Sequence, residues 1–188
     1  MKQELQNIVD SMLKKNESFI TREQNLTPLT ADIRKDTTIN GQHPYAVVIT
    51  CSDSRTPPEH IFSAGIGELF VIRTAGNVVS DFELGSIEYG AEHVGAKIVM
   101  VLGHTYCGAI GAAIDGHAEG HIKSIVTEIA QAIGTETDPR KCELLNTLYT
   151  ARKLLEKSII LADLVQEEKI AIVSAMYDTE TGIVKLID

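Results

Sequence analysis

Cys51, Asp53 and Arg55 stand at alternate positions in Cys51-Ser52-Asp53-Ser54-Arg55, and His104-Thr105-Tyr106-Cys107 forms a second cluster further on. Two thiolates and one imidazole make a set of three protein ligands, which in zinc chemistry leaves a fourth position open. A closed structural site would take a fourth Cys or His from close by, and neither cluster offers one. Thiolate donors also favour zinc over magnesium or calcium. Zinc lowers the pKa of a bound water from about 15.7 toward roughly 7, which produces hydroxide near neutral pH. Thiolates donate more charge than imidazoles, so this set acidifies its water less than three histidines would. A neighbouring acceptor then helps by orienting the hydroxide. Asp53 is placed for that role, and Arg55, two residues on, is placed to hold it bidentately and keep it ionised.

Such chemistry requires two clusters distant in sequence to meet. Each follows a strand-like run, Ala46-Val47-Val48-Ile49 for the first and Lys97-Ile98-Val99-Met100-Val101-Leu102 for the second. Parallel neighbours in one sheet end on the same edge, where open α/β sheets carry their sites. The remaining chain alternates in a way that supplies such a sheet. Leu5, Ile8, Val9, Met12 and Leu13 recur at helical spacing, with Lys14 and Lys15 in the closing turn. Residues 21–44 are polar and irregular and read as an arm that wraps another surface or a partner subunit. Strand 46–50 leads into a turn where Pro57-Pro58 starts a short helix. Strand 69–73, a helix near 81–94 begun by Ser80 or Asp81, strand 97–102 and a small-residue helix opening at Cys107-Gly108 come next. Helices follow at 121–133 and 140–166, the second carrying Leu144, Leu145, Leu148, Leu155, Ile159 and Ala162. Strand 169–177, the turn Asp178-Thr179-Glu180-Thr181-Gly182 and a strand at 183–187 end the pattern. The expectation is one α/β domain over 1–188, a mainly parallel central β-sheet with an antiparallel edge hairpin, flanked by helices. Residues 1–44 add an N-terminal helix and a dimer-wrapping arm.

The 188 residues can bury a substantial core without disulfides. Seventeen Lys and Arg against 26 Asp and Glu leave a net charge of −9, which argues against nucleic acid or an anionic membrane as partner. The longest apolar run is far short of a membrane span, and the N-terminus lacks the apolar core of an export leader. Three cysteines cannot all pair, and metal-holding thiolates suit a reducing compartment, so a cytoplasmic location is expected. Cys142, among helical neighbours, reads as a structural thiol. His117 and His121 near Asp115 are broken up by Gly116 and Gly120 and read as a solvated loop, not a second metal site. His43, His60 and His93 have no companions at ligand spacing. Arg73 reads as structural, pairing an acid near a subunit interface. Cys107-Gly108-x-x-Gly111 lacks the Gly-Lys-Ser/Thr of a phosphate loop.

From about Gly41 to the C-terminus the chain resembles the β-class carbonic anhydrases. It carries their Cys-x-Asp-x-Arg as Cys51, Asp53 and Arg55 and their His-x-x-Cys as His104 and Cys107. Pro57-Pro58, Leu69-Phe70-Val71-Ile72-Arg73, Ala75-Gly76-Asn77, Gly103 through Gly108 and Tyr177 through Gly182 follow the family pattern as well. The resemblance implies reversible hydration of CO₂ to bicarbonate and a proton by zinc-bound hydroxide, with one Zn²⁺ per subunit. Cys51, His104 and Cys107 would bind the zinc, Asp53 would orient the hydroxide, and Arg55 would hold Asp53. By the same likeness Gln42 hydrogen-bonds substrate, Phe70 and Tyr89 line its pocket, Ala75 helps form it, and Gly108 presents a backbone N–H. The family's pocket sits at a dimer interface, so a homodimer or a higher even assembly is implied, and some of these groups would serve the neighbouring subunit.

The chain also departs from the family. It has no Trp, and Val48 stands where the bicarbonate-inhibited subgroup has one, three residues before the first Cys. That favours an open arrangement in which Asp53 pairs with Arg55. The segment between Arg73 and His104 is shorter than in plant members. Two other readings use the same residues. One is hydrolysis of a CO₂ analogue, carbonyl sulfide or carbon disulfide, which pocket shape would decide. The other is a non-catalytic zinc-binding interaction subunit, which the presence of both Asp53 and Arg55 disfavours.

Overall fold

A computed structural model of the chain describes residues 1–21 and 29–187. Two strands, β1 (Ala46–Cys51) and β3 (Ile98–His104), are buried along their whole length, as apolar strands covered on both faces must be. Outside β1 lies β2 (Leu69–Thr74); outside β3 lie β4 (Ala171–Tyr177) and then β5 (Val184–Ile187), giving the order β2-β1-β3-β4-β5. The first three pairings are parallel and β4–β5 is antiparallel. The expected α/β sheet with its edge hairpin is therefore present.

Each face of the sheet has its own core. On one side α1 (Gln3–Ile20) and the short α3 (Pro58–Ile61) bury Leu5, Val9, Met12 and Ile61 against β1 and β3 residues. On the other, α4 (Asp81–Glu88) and α8 (Ile159–Gln166) contribute Ile87 and Leu161. The helix expected near 81–94 continues beyond α4 as a π-helical turn, Tyr89–His93. Small helices α5 (Gly108–Asp115) and α6 (Ile122–Ile133) pack beside the end of the sheet. Among the described residues, no helix is long and apolar enough to cross a membrane.

The arm read as irregular contains a helix, α2 (Ala31–Asn40). Thr30 caps it by accepting the Ile33 N–H at 3.4 Å, and the Thr37 and Thr38 hydroxyls return to the Ile33 and Arg34 carbonyls at 2.8 and 2.7 Å. Local side-chain bonding thus organises a segment that lacks hydrophobic periodicity. No residue of α2 is buried in this chain. Positions 22–28 of the arm lie outside the described residues.

The helix expected at 140–166 is divided into α7 (Pro139–Lys157) and α8. Ser158 breaks it with extended backbone, φ −117° and ψ 110°. Its hydroxyl accepts the Leu161 N–H at 3.0 Å and donates to Glu88 at 2.6 Å, which starts a new helix at a new angle. The side of α7 turned inward is largely polar: Glu143, Asn146, Thr147 and Thr150 are buried, while Leu144, Leu145, Leu155 and Ile159 are exposed. Gly103 on β3 permits this close approach. A Cβ there would stand 2.0 Å from Thr147 Oγ1 and 2.7 Å from Met176 Sδ. Gly103→Ala is accordingly expected to lower unfolding free energy by about 1–3 kcal/mol through overpacking, measured as a lower denaturant midpoint at unchanged slope.

Candidate metal centre

The pairing Thr50↔Leu102 sets the geometry of the centre. Cys51 lies one residue beyond that pair and His104 two. With a rise of about 3.3 Å per residue and strands about 4.8 Å apart, the two are neighbours at the carboxyl edge of the sheet. Cys107 follows after a turn and stands at the N-cap of α5. The two sulfurs and one ring nitrogen of His104 all lie within 4.8 Å of one another. Among the described residues this is the one His/Cys/Asp/Glu group gathered closely enough to hold a metal ion.

The environment of each donor fits such an ion. His104 Nδ1 is 2.9 Å from the Thr105 carbonyl, which can only accept, so Nδ1 carries the proton and Nε2 keeps its lone pair. Nε2 is buried and has no hydrogen-bond partner. A bare buried nitrogen costs free energy; a cation shared with the two thiolates satisfies it. Cys51 Sγ accepts the Gly76 N–H at 3.2 Å and the Asp53 N–H at 3.4 Å. Its pKa is pulled far below that of an ordinary thiol by the hydrogen bond from Cys107, against the opposing effect of burial, with help from His104 and these two N–H groups. Cys107 is pushed up by the same shared hydrogen bond and by burial, against the N–H groups of Ala109 and Ile110 at the start of α5. The pair therefore holds one proton tightly, and a bound dication is what would release it. Gly76 reaches Cys51 at φ +68°, and a Cβ on it would meet Ile129 Cδ1 at 2.8 Å, so glycine is what this approach requires.

Asp53 faces Arg55 in a fork. Arg55 Nε donates to Oδ1 at 3.0 Å, Nη2 to Oδ2 at 2.7 Å, and the Arg55 backbone N–H to Oδ1 at 2.9 Å. The Arg55 hydrogen bond, working against partial burial, holds the carboxyl at about 2. Arg55 Nη2 also donates to the Tyr106 carbonyl at 3.0 Å, tying the first cluster to the second. Among the described residues of this chain, Arg73 bonds to carbonyls and a hydroxyl and forms no ion pair. Its guanidinium donates to the Cys51 carbonyl at 3.0 Å, the Asp53 carbonyl at 2.5 Å and Thr56 Oγ1 at 3.4 Å. β2 runs beside β1 with Thr74 opposite Cys51, so Arg73 is next to a turn rich in outward carbonyls and clamps it.

The five pocket residues named from the resemblance fall in two places. Ala75 precedes Gly76 and lines a groove of about 730 Å³ with Val78, Val79, Phe82 and Ile125. Gly108 follows Cys107 as the first residue of α5, where an N–H has no intrahelical partner. Phe70, by contrast, pairs with Val47, four residues before Cys51, hence about 13 Å back along the strand. Tyr89 lies beside it, ring centroids 6.2 Å apart. Gln42 is at that end too, its Cα 3.9 Å from where a Gly67 Cβ would be. Cys142 is buried with Sγ 3.4 Å from the Glu136 carbonyl; His43, His60, His93, His117 and His121 are exposed. Sequence reasoning missed the Gly76 N–H and the buried Glu143, which accepts the Cys107 N–H at 3.2 Å. The glycine after a strand was a usable signal; the glutamate, set among leucines, offered none.

A family model described as Carbonic anhydrase matches residues 46–184. The chain is similar to carbonic anhydrase 2 of Mycobacterium tuberculosis, 33% identical over 152 residues that span 76% of this chain and 73% of the relative. In fold it is similar to the β-carbonic anhydrase CafA of Aspergillus fumigatus, with a TM-score of 0.70 at 24% identity over 83% of this chain and 85% of that one. It is likewise similar to a structure described as one of two tetrameric β-carbonic anhydrases from Sordaria macrospora, with a TM-score of 0.70 at 23% identity over 96% and 97% of the two chains.

The fork around Asp53 leads to a titration test. Carboxyl resonances followed through pH should place Asp53 near 2 and, in Arg55→Ala, back toward 3.8. Because folding depresses this pKa, the stabilisation it carries is complete above the unfolded value of 3.8 and lost as pH falls through about 2.

Proposed function

The chain belongs to the β-class carbonic anhydrase family and is an enzyme of that class, and from this premise we propose that it interconverts CO₂ and bicarbonate using one zinc ion per subunit. Cys51, His104 and Cys107 would hold the zinc. The observation that carries this reading is the buried, unpartnered Nε2 of His104 facing two thiol sulfurs beside an Arg-held carboxylate. Zinc bound there would supply a water acidified toward a pKa of roughly 7 as the source of the nucleophile.

The chain's own residues do the rest. Asp53 stays ionised through the working pH range, so it acts as an acceptor only. A carboxylate has about four lone-pair sites, and Arg55 occupies three with its fork and backbone N–H. The remaining one accepts the nucleophile's hydrogen and turns its lone pair toward carbon. The Gly108 N–H, at the positive end of α5, faces the oxygen on which charge develops. Ala75 supplies an apolar wall against which uncharged CO₂ can rest.

Gln42, Phe70 and Tyr89 belong in this reading to the neighbouring subunit's pocket, since within one chain they lie at the other end of β2. A symmetric dimer is then the smallest complete unit. Surface features support it. No residue of α2 is buried, Phe82 is 88% exposed beside the groove at Ala75, and Ile159 is 79% exposed. The Sordaria structure, described as tetrameric, is an even assembly of the same fold. All three cysteines are free, which suits a reducing compartment, and we read the enzyme as cytoplasmic.

Stopped-flow CO₂ hydration combined with elemental analysis tests the activity. The expected result is about one zinc per chain by the ligand count, with rapid hydration. Cys107→Ser should lose most of both, and Cys142→Ser should keep both. Freshly reduced protein prepared without chelator that carries no transition metal, or full activity in metal-free protein, would overturn the reading. Light scattering at assay concentration should show a dimer or larger even assembly; a fully active monomer would refute the shared pocket.

A further inference from the structure

We propose that Glu143 is a positioning residue for the metal ligand Cys107 and for Arg55, acting through the peptide unit that joins Tyr106 to Cys107. This rests on the metal reading above and adds a residue from outside both motifs.

That peptide unit is held at both ends by opposite charges. Its oxygen, the Tyr106 carbonyl, accepts Arg55 Nη2 at 3.0 Å. Its nitrogen, the Cys107 N–H, donates to Glu143 Oε1 at 3.2 Å. The carboxylate that takes this bond is buried, the residue being 4% exposed. Its other oxygen accepts Arg140 Nη1 at 3.0 Å, and the Arg140 guanidinium lies 3.8 Å over the Tyr106 ring. Arg140 thus neutralises Glu143 and presses on the residue just before the ligand.

The restraint has a purpose because the backbone here is not at rest. Tyr106 has φ +59°, left-handed for a residue with a Cβ. Such conformations persist only where their surroundings over-determine them. Relaxation of φ at Tyr106 toward negative values would release the strain and carry the Tyr106–Cys107 peptide with it. It would also swing Cys107 Sγ away from Cys51 and withdraw the carbonyl that steadies Arg55, and with it Asp53. Glu143 can reach this peptide because α7 packs directly on Gly103, with the Thr147 hydroxyl returning to the Glu143 carbonyl at 2.9 Å. One helix face therefore fixes a metal ligand and the arginine of the neighbouring cluster together.

The test uses the full chain loaded with zinc and, in parallel, with cobalt(II) as a spectroscopic probe. Glu143→Met keeps side-chain length and removes the acceptor. It leaves the Cys107 N–H unpaired and returns the partly exposed Arg140 to water, so a folded protein with a lowered melting temperature is expected. It should release zinc to a colorimetric chelator about 10- to 100-fold faster than the unmodified chain, the range known for groups that orient metal ligands. Its cobalt bands should shift, because one thiolate is no longer held. Glu143→Gln keeps an acceptor for the Cys107 N–H and should recover most of both properties, which a role in overall stability alone would not produce. Glu143→Met that holds zinc as long as the unmodified chain, with the same cobalt spectrum, overturns the inference and leaves the metal reading intact. If Glu143→Met does not fold, Glu143→Asp, one methylene short of the amide, decides by the same two readouts. Unmodified protein that takes up no zinc overturns both.

Discussion

Parallel pairing of β1 with β3 is the constraint on which the rest of this molecule depends. Hydrogen bonding in register brings two chain segments to a common edge, Cys51 from one and His104 from the other. Both strands are wholly buried, so their register is set by the full hydrophobic content of the sheet. Slipping it by one residue would turn every core side chain to the wrong face. The candidate metal centre therefore inherits its precision from the core. Of its three donors only Cys107 comes from a turn, and its neighbourhood carries restraints from α7.

Those restraints come from α7, which packs with a polar face inward. Irregular loops at the end of the sheet leave backbone groups that must be satisfied once buried. Asn146 donates to the Gly76 carbonyl at 2.8 Å, Thr150 to the Asn77 carbonyl at 3.3 Å, Lys153 to the Val79 carbonyl at 2.7 Å, and Glu143 accepts the Cys107 N–H. A leucine face in their place would have left these groups bare. Leu144, Leu145 and Leu155 of α7 are consequently exposed, while Leu154 stays in the core. One packing decision thereby serves the site loops and leaves three leucines on the surface of the chain.

The charges follow the same economy of short links. Backbone N–H groups from Asp53 and Gly76 stabilise the Cys51 thiolate, the start of α5 stabilises Cys107, and Arg55 keeps Asp53 ionised while holding the Tyr106 carbonyl. Arg73, one strand over, secures the carbonyls of the turn from Cys51 to Thr56. Cys51, Asp53 and Cys107 are thus each fastened by a residue outside the two clusters, namely Gly76, Arg73 and Glu143, while His104 and Arg55 are held by Thr105, Asp53 and Tyr106 within them.

Much of this was legible before any coordinates. The types and spacing of Cys51, Asp53, Arg55, His104 and Cys107 specify donor set and acceptor, because a side chain's chemistry travels with its letter. Alternating apolar runs specify the α/β sheet, because strand and helix periodicities are local. What the sequence could not decide was orientation. A helix with leucines at Leu144, Leu145 and Leu155 reads as apolar inside, yet the need to satisfy buried loop carbonyls turned its polar residues inward. α2 was invisible to hydrophobic periodicity because its threonines organise it instead. Within the chain Arg73 found the carbonyls of Cys51 and Asp53, and Gln42, Phe70 and Tyr89 came to lie at the far end of β2 from Ala75 and Gly108. Each of these outcomes depends on which distant backbone arrives beside a residue, a quantity that only the tertiary structure defines. The sequence by itself determined which donor and acceptor groups are available and which strands carry them; only the packed sheet and α7 decided what holds them still, because hydrogen-bond partners are assigned in space and not along the chain.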